Sequence, residues 1–506
     1  MASGSDDCVI PFGLSLSKPS LEMRETVGNL MNANLKPEAA HDFNLVINGQ
    51  LVPGAMTLDV INPATGKPFA TCARANQAQA EQAIAAAKAA FPAWARKSID
   101  ERRALLNKIV EAFALRIDEF ARLSTLESGK PLPLAIREMK GAVASIKNFN
   151  KLDLPIEVLS EDEKGRILKV RAPLGVVAAI TAWNYPMTLL VNKLPPALLA
   201  GNTIVVKPAP TTPLTTLLFG ALCNEILPPG VVNVIVDNND LGGFLSQHPD
   251  VAKVAFTGST ATGKKVFASC ADGVKRVTLE LGGNDAAIVM NDVDVKEVAP
   301  KLLAGALVNA GQVCLAIKRV YVHDSQYDAM CNELATLAKN VVVGDGLAQG
   351  TQMGPLQNKM QFEKAKEYLA DANASGKVIA GGHALNRDGY FIEPTVVRDI
   401  PDTARLVREE QFAPIVPVLK YSDVNDAIKR ANDTSYGLGA TVWGKDVQRA
   451  SAVAMQLEAG TVWVNKHLEL PLDVPFGGAK QSGLGVEKGQ KGLDEYTQSR
   501  IVNIGK

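Results

Sequence analysis

Paired cysteines are missing from this chain. Its six cysteines, Cys8, Cys72, Cys223, Cys270, Cys314 and Cys331, are spread over 506 residues without a CxxC pair. That pattern argues against a disulfide scaffold and against a structural zinc site. The five histidines are equally isolated and no HExxH occurs, so no metal is expected. No run approaches the ~20 consecutive apolar residues of a membrane-spanning helix. Lys+Arg and Asp+Glu balance at 53 each, which leaves no net pull toward nucleic acid or an anionic membrane. The first residues include Asp6 and Asp7 and no basic stretch ahead of an apolar one, against a secretory leader. Residues 1–42 read as an extension of unassigned role, and the scattered thiols fit a reducing, cytoplasmic setting.

What is present is the patterning of a globular α/β protein, with 47% hydrophobic and 21% charged residues. So long a chain exceeds one ordinary core, and two or three domains are expected. Runs with helical periodicity lie near 76–96, 99–125 and 134–152. Short β-branched runs follow at Val176–Ala182, Thr203–Val206, Val231–Val236, Lys253–Phe256 and Arg276–Leu281, with helical patterns near 188–200, 213–226 and 261–271 between them. Alternation of this kind with continuously apolar strands predicts a parallel sheet covered on both faces. A second alternating series begins after about residue 282, with strands at Ala286–Met290, Arg319–His323, Ile415–Leu419, Ala440–Trp443 and Thr461–Val464. Between the two series, Ile156–Arg171 mixes polar and apolar residues around Asp162–Gly165 and reads as a long hairpin.

Five segments carry residues with chemical potential. Cys314, in Gly311-Gln312-Val313-Cys314, sits in a connection between a helical pattern and a strand, where a thiol can react; taken alone, an inert buried cysteine is the commoner meaning. Glu280 ends the apolar strand Val277-Thr278-Leu279-Glu280 ahead of Leu281-Gly282-Gly283, a position that suits a general base or an idle solvated charge equally. Asn184, in Trp183-Asn184-Tyr185-Pro186, can aim an amide N–H at an oxyanion or simply cap a helix. Phe256-Thr257-Gly258-Ser259, continuing to Gly263-Lys264-Lys265, is a strand–turn–helix whose free amides can hold a phosphate. It approaches a P-loop, but Lys265 stands where the magnesium-binding hydroxyl belongs, which excludes a nucleoside triphosphatase. Glu409-Glu410-Gln411-Phe412 pairs carboxylates with an aromatic and is weak by itself.

Together and in this order, these segments resemble the aldehyde dehydrogenase superfamily. The combination is specific: Glu280 in LELGG precedes Cys314 in GQVC by 34 residues, with TAWNYP and FTGST upstream. Further matches are Glu127-Ser128-Gly129-Lys130-Pro131, Gly389-Tyr390-Phe391 and Pro475-Phe476-Gly477-Gly478, and the likeness runs from about Asn44 to the C-terminus. The resemblance implies two Rossmann-like doubly wound α/β domains and a small β-hairpin oligomerisation element. It implies a cofactor-binding domain at 43–155 and 173–281, a catalytic domain at 282–474, and a bridging element at 156–172 and 488–506. It also implies Cys314 as nucleophile, Glu280 as general base and Asn184 as oxyanion donor. Lys207 and Pro210 would lie at the adenosine ribose, Gly258, Ser259 and Gly263 at the pyrophosphate, and Gln361 and Glu410 at the nicotinamide ribose. Phe412 would lie near the nicotinamide ring, with Ile180, Thr181, Ala182, Trp183, Leu281 and Gly282 lining the cleft.

The implied reaction oxidises an aldehyde to a carboxylic acid with NAD(P), through a thioester on Cys314. CoA-acylating relatives lack the carboxylate at the position of Glu280, so water is the expected acyl acceptor; CoA transfer, semialdehyde specificity and a cofactor-free cysteine esterase are the alternatives. Pro210 stands where many NAD-selective members carry a glutamate, so NAD is favoured with NADP left open. The substrate pocket would comprise Tyr185, Leu189, Asn192, Val313, Leu315, Leu470 and Phe476, with His467 and Glu469 nearby. No arginine or lysine falls among these seven, which argues against an aldehyde carrying a second carboxylate. The partners expected are a small-molecule aldehyde and further copies of the chain, as a homodimer or homotetramer.

Overall fold

The computed structural model describes residues 42–506, so the extension at 1–42 lies, Asp42 apart, outside the described residues. Two large sheets organise the chain. The first runs in the order Gly483–Leu484, Arg276–Glu280, Val251–Thr257, Val176–Ile180, Thr203–Lys207, Val232–Val234, Leu45–Ile47, Gln50–Val52. Its five middle strands are parallel, and antiparallel strands close both edges. Strands Val176–Ile180 and Thr203–Lys207 are buried along their whole length, because helices cover both faces.

The second sheet runs Lys377–Ala380, Thr395–Arg398, Ile415–Tyr421, Ile317–His323, Asp285–Val289, Gly439–Trp443, Thr461–Val464. All of its pairings are parallel except at the Lys377–Ala380 edge. Each sheet has its own core: one joins residues from Leu45 to Leu281 with Leu493 and Tyr496, the other runs from Ala286 to Leu457. The architecture is mixed α/β with two doubly wound units. A three-stranded antiparallel sheet pairs Glu157–Asp162 with Gly165–Pro173, and the latter with Thr497–Gly505. Among the described residues no helix is long and apolar enough to cross a membrane.

Several details depart from the sequence pattern. The helix expected near 188–200 is two, Pro186–Val191 and Leu194–Leu199. Pro195 and Pro196 lack an N–H to continue the first helix, yet fit the opening turn of a second. The pattern at 99–125 likewise divides into Ile99–Ala114 and Ile117–Ser128 around Arg116, which forks onto Glu119 at 2.7 and 3.0 Å. The hairpin Leu45–Ile47 to Gln50–Val52 was legible and not read: Asn48 and Gly49 both take positive φ, 51° and 75°, as a two-residue hairpin turn demands.

Strands Val176–Ile180 and Val251–Thr257 are neighbours, but their successors leave to opposite sides of the sheet. A crevice opens at the carboxyl ends of such a pair. Here it receives Thr181–Asn184 from one strand and Gly258-Ser259 from the other. Glu280 ends the adjacent strand, and after four intervening residues the second sheet begins at Asp285.

The C-terminal segment is pinned by Asn202, fully buried. Its Oδ1 accepts from the Leu174 and Gly175 amides at 2.6 and 3.0 Å, and its Nδ2 donates to Ala197 O and Tyr496 O at 3.2 and 2.8 Å. Replacing Asn202 with Ala removes four hydrogen bonds, three of them buried, and should cost about 3 kcal/mol, visible as a lower Tm at fixed scan rate; an unchanged Tm would refute this role.

Candidate active site

Cys314 is delivered by an unusual turn. Asn309, Ala310 and Gly311 have φ of 51°, 56° and 73°, three left-handed residues in succession. At Gly311 a Cβ would lie 2.3 Å from Ala413 O, so only glycine fits. The loop is then fastened from below by Lys318, whose buried Nζ donates to Val313 O, Cys314 O and Ala316 O at 2.8, 2.9 and 3.1 Å. Gln312 closes it from the side, donating to Asn309 O at 2.8 Å and accepting from the Gln357 amide at 2.8 Å. Cys314 itself is partly buried. Burial pushes its thiol up to about 12, while the Lys318 ammonium pulls the other way.

Asn184 meets this loop. Its Nδ2 donates to Gln312 O at 3.0 Å, and the second amide hydrogen remains for another acceptor beside Cys314. The Asn184 carbonyl is held by Lys130 Nζ at 3.0 Å and Asn309 Nδ2 at 3.1 Å. Lys130 is fully buried, bonded to Glu138 and 4.0 Å from the centroid of the Tyr185 ring. The other Glu138 oxygen caps the helix Pro186–Val191 through the Met187 and Thr188 amides at 3.0 and 3.1 Å. One buried ion pair thus sets both the backbone of Asn184 and the start of the helix that follows it.

Glu280 is 4% exposed, and neither of its carboxylate oxygens has a hydrogen-bond partner. Burial, reinforced by the nearby Glu487, raises its pKa well above the usual carboxylate range; Lys193 and Lys488 oppose the shift. Glu487 is itself satisfied, accepting from Lys193 Nζ at 2.5 Å and from Asn192 Nδ2 at 3.1 Å. Lys193 also donates to Thr257 Oγ1 at 2.6 Å. The carboxyl of Glu280 is therefore left over from a network that pairs its neighbours.

The residues assigned to the cofactor cleft fall into three groups. Ile180 is buried in the sheet, and Thr181 follows with a buried hydroxyl that has no partner. Ala182 and Trp183 are partly exposed at the crevice, and the Trp183 ring meets Phe412 edge-on at 5.3 Å. Lys207, 4% exposed, donates to the fully buried Asp237 at 2.7 Å beside the buried Pro210. Ser259 caps the helix Thr260–Cys270 through the Thr262 amide, leaving the other first-turn amides free. Gly258 and Gly263 have no room for a Cβ, which would meet the Phe256 ring at 2.5 Å and Leu281 Cδ2 at 2.4 Å. On the far wall Glu410 accepts from the Gly283 amide at 3.0 Å and abuts Gly282. Gln361 Nε2 donates to Gln411 O and Phe412 O at 2.9 and 3.0 Å, pinning Phe412 at a φ of 51°.

Six of the seven pocket residues, Tyr185, Leu189, Val313, Leu315, Leu470 and Phe476, form one apolar cluster that includes Cys314. Asn192 stands apart, bound to Glu487. His467 donates to Leu315 O at 2.7 Å; burial drives its pKa down to about 3, which keeps it neutral. Glu469 pairs with Lys466 at 3.1 Å. Beside the cluster lies a small cavity whose lining includes Leu134, Arg137, Tyr185, Thr188, Asn192 and Lys488. Arg137 and Lys488 add cations to this lining from segments outside the seven positions, none of which is an arginine or lysine.

Sequence reasoning missed Lys193, Glu487, Lys488, Lys318 and the Lys130–Glu138 pair. One signal was available: Lys193 is the only charged residue between Arg171 and Lys207, and a lone charge in so apolar a stretch must be buried with a partner. Among the described residues, no group of three or more histidine, cysteine, aspartate or glutamate side chains could hold a metal.

Residues 52–502 match the aldehyde dehydrogenase family. A putative aldehyde dehydrogenase, FUS7, of Gibberella fujikuroi is 39% identical over 465 residues, covering 92% of this chain and 99% of the relative. The NAD+ complex of an aldehyde dehydrogenase from Bacillus cereus superposes with a TM-score of 0.91 at 36% identity, covering 93% of this chain and 99% of that one. A betaine aldehyde dehydrogenase mutant from Staphylococcus aureus, in complex with NAD+, gives a TM-score of 0.89 at 34% identity over 91% and 96% of the two chains.

With its thiol held near 12, free Cys314 should alkylate with iodoacetamide at a rate rising about tenfold per pH unit between roughly pH 7 and 9, without a plateau. Mass spectrometry of the Cys314 peptide checks this; a plateau below pH 8 would show a resting thiolate.

Proposed function

The chain belongs to the aldehyde dehydrogenase family, and on that footing we propose that Cys314 attacks the aldehyde and carries the acyl group as a thioester. The observation that supports this most is the convergence of three side chains: the Asn184 amide beside Gln312 O, the partly buried Cys314, and Glu280 with two unpartnered oxygens. Cys314 reacts as its thiolate, the thiol proton passing to solvent water, and as the S–C bond forms the carbonyl π pair moves onto oxygen as negative charge. The free Asn184 N–H stabilises that oxygen, and a donor fixed in advance needs no reorganisation as charge develops. The Lys318 clamp and the left-handed turn keep the sulfur from drifting as the bond forms.

The crevice fits a dinucleotide: uncapped first-turn amides at Thr260–Cys270 suit a pyrophosphate, and the orphaned Thr181 hydroxyl lies at the same strand end. Gly258, Ser259 and Gly263 would hold the pyrophosphate, Lys207 one ribose and Glu410 the other, with Trp183 and Phe412 beside the ring. When bound, NAD(P) supplies the hydride acceptor that turns the adduct on Cys314 into a thioester. Glu280 then takes a proton from water at its carboxylate oxygen, and the hydroxide so formed releases the acid. The presence of Glu280 favours water over CoA as acceptor. NAD is the cofactor we favour, because Lys207 is already committed to Asp237 and adds no free cation for a 2′-phosphate.

The unit built on the first sheet is then the cofactor-binding domain, 43–155 with 173–281, and residues 282–474 the catalytic one. The three-stranded sheet is proposed as the site of homo-oligomer assembly: its edge strand Glu157–Asp162 is exposed throughout, and Val158, Leu159 and Ile501 are more than half exposed. Edge strands with apolar side chains pair readily. The unpaired thiols of Cys72, Cys223, Cys270 and Cys331 support a reducing, cytoplasmic setting.

Glu280→Gln should keep a full pre-steady-state NADH burst and lose steady-state turnover, together with the alkaline-rising limb of deacylation. It should also raise Tm at alkaline pH. A carboxyl whose pKa is raised by folding contributes stability below its unfolded pKa and loses it as pH rises through the folded value; glutamine has no such slope. Undiminished turnover would sink the base assignment. Cys314→Ala should abolish both NADH formation and ester hydrolysis, and kcat/KM with NAD against NADP decides the cofactor. Val158→Lys with Ile501→Lys should lower the subunit number by light scattering, and an unchanged mass would exclude this sheet as the contact.

A further inference from the structure

Lys488 is the one residue at the site whose placement no step above requires. Its backbone has φ 64° and ψ 164°, a region that glycine occupies freely and a lysine enters only under constraint. Its neighbour Gly489 also has a positive φ, 56°, which glycine adopts freely. The side chain is only 6% exposed. Its ammonium lies 5.9 Å from the Phe476 ring centroid, and no hydrogen bond or ion pair engages it among the described residues. It lines the small cavity next to the Cys314 cluster, whose lining also includes Tyr185, Thr188, Asn192 and Arg137.

An unpaired ammonium taken out of water is costly and persists where something compensates it. The nearby carboxylates are otherwise occupied. Glu487 is neutralised by Lys193, and Glu138 by Lys130. Glu487, Glu280 and Cys314 lie within electrostatic reach of Lys488 and oppose the lowering of its pKa by burial, but none of them accepts a hydrogen bond from its ammonium, and both Glu280 oxygens are without a partner. The ammonium thus lacks an acceptor of its own on a cavity that shares Leu134 and Tyr185 with the Cys314 cluster, where an anionic group from outside the chain would supply one.

We propose that Lys488 is a specificity-determining residue: its ammonium binds a second, anionic group of the substrate, and the preferred aldehydes are short aliphatic oxo acids. The apolar cluster around Cys314 packs the methylenes between the two ends of such a substrate. The proposal rests on the reading of Cys314 as the acylated nucleophile, and deepens it by naming the substrate class.

The test compares kcat/KM for 4-oxobutanoate against butanal and for 5-oxopentanoate against pentanal, by NADH formation in the full-length enzyme. Wild type should favour the oxo acid, and in Lys488→Met the acid-to-neutral ratio should fall at least tenfold, with Lys488→Arg retaining most of it. If both substrates of a pair fall together in Lys488→Met, so that the ratio is unchanged, Lys488 serves Glu280 or Cys314 and the proposal is overturned. A second readout needs no variant: butanedioate should protect Cys314 of the wild type from iodoacetamide at concentrations where butanoate does not. Equal protection by the two acids would also overturn it. Failure of the underlying reading looks different, since no aldehyde of either kind would then yield NADH.

Discussion

Everything at the site depends on how little chain joins the two sheets. Strand Arg276–Glu280 ends the first, strand Asp285–Val289 begins the second, and only Leu281–Asn284 lies between. So short a link forces the carboxyl edge of one sheet to face the amino edge of the other. The two glycines in it allow the contact to be close. A Cβ at Gly283 would lie 2.4 Å from Cys314 O, and one at Gly282 would lie 2.4 Å from Glu410 Oε2. Placement of functional residues at the carboxyl ends of parallel strands holds for the first sheet, with Asn184, Gly258 and Glu280. It fails for the second, which supplies Cys314 from just before the strand Ile317–His323. The link is what makes that inversion productive, because it brings opposite edges to one cleft.

Charge is distributed around this cleft with a clear division of labour. Lys130–Glu138, Lys193–Glu487 and Lys207–Asp237 are buried pairs whose members are nearly solvent-free. Removing one partner of such a pair leaves an uncompensated buried charge, so each pair locks the segments that it ties. Lys130 holds the Asn184 carbonyl, Lys193 holds Thr257, and Lys207 holds the strand end beside Pro210. Against that framework the unpaired groups stand out. Glu280 has no hydrogen-bond donor and Lys488 no acceptor, and both border the space where a substrate must sit. A group that the protein leaves unsatisfied in its interior is satisfied by what it binds.

Most of the first sheet was legible because its strands are continuous apolar runs separated by helices, and burial on both faces writes that pattern directly into sequence. The motif residues were legible for a different reason: Gly282, Gly258 and Gly311 each mark a close approach that no other residue permits. The antiparallel edge strands Leu45–Ile47 and Lys377–Ala380 escaped notice because three or four residues are too few for a period to show. Lys488 escaped because nothing local marks it. It sits between Glu487 and Gly489 in a segment that reads as a turn, and it shares its cavity with Leu134, Arg137, Thr188 and Val191, roughly 300 residues and more away in sequence. The apolar pocket was read from residues near the motifs, whereas its cations enter from elements that only the tertiary fold brings there.

Backbone strain sharpens the same distinction. Asn309, Ala310, Phe412, Leu468 and Lys488 all have φ between 51° and 64°, and all border the cleft. At Asn309 and Ala310 the strain yields the turn that presents Cys314, and at Phe412 it turns the ring toward Trp183. In each case a conformation costing on the order of 1–3 kcal/mol is held by neighbours that leave no alternative: Gln312 and Gln357 around Asn309, Gln361 around Phe412. For Lys488 no such purpose is served by the main chain alone, since glycine would hold the same turn without strain. The cost is attached to the side chain, and what the side chain adds is a positive charge inside an apolar cavity, facing the place where the aldehyde must enter.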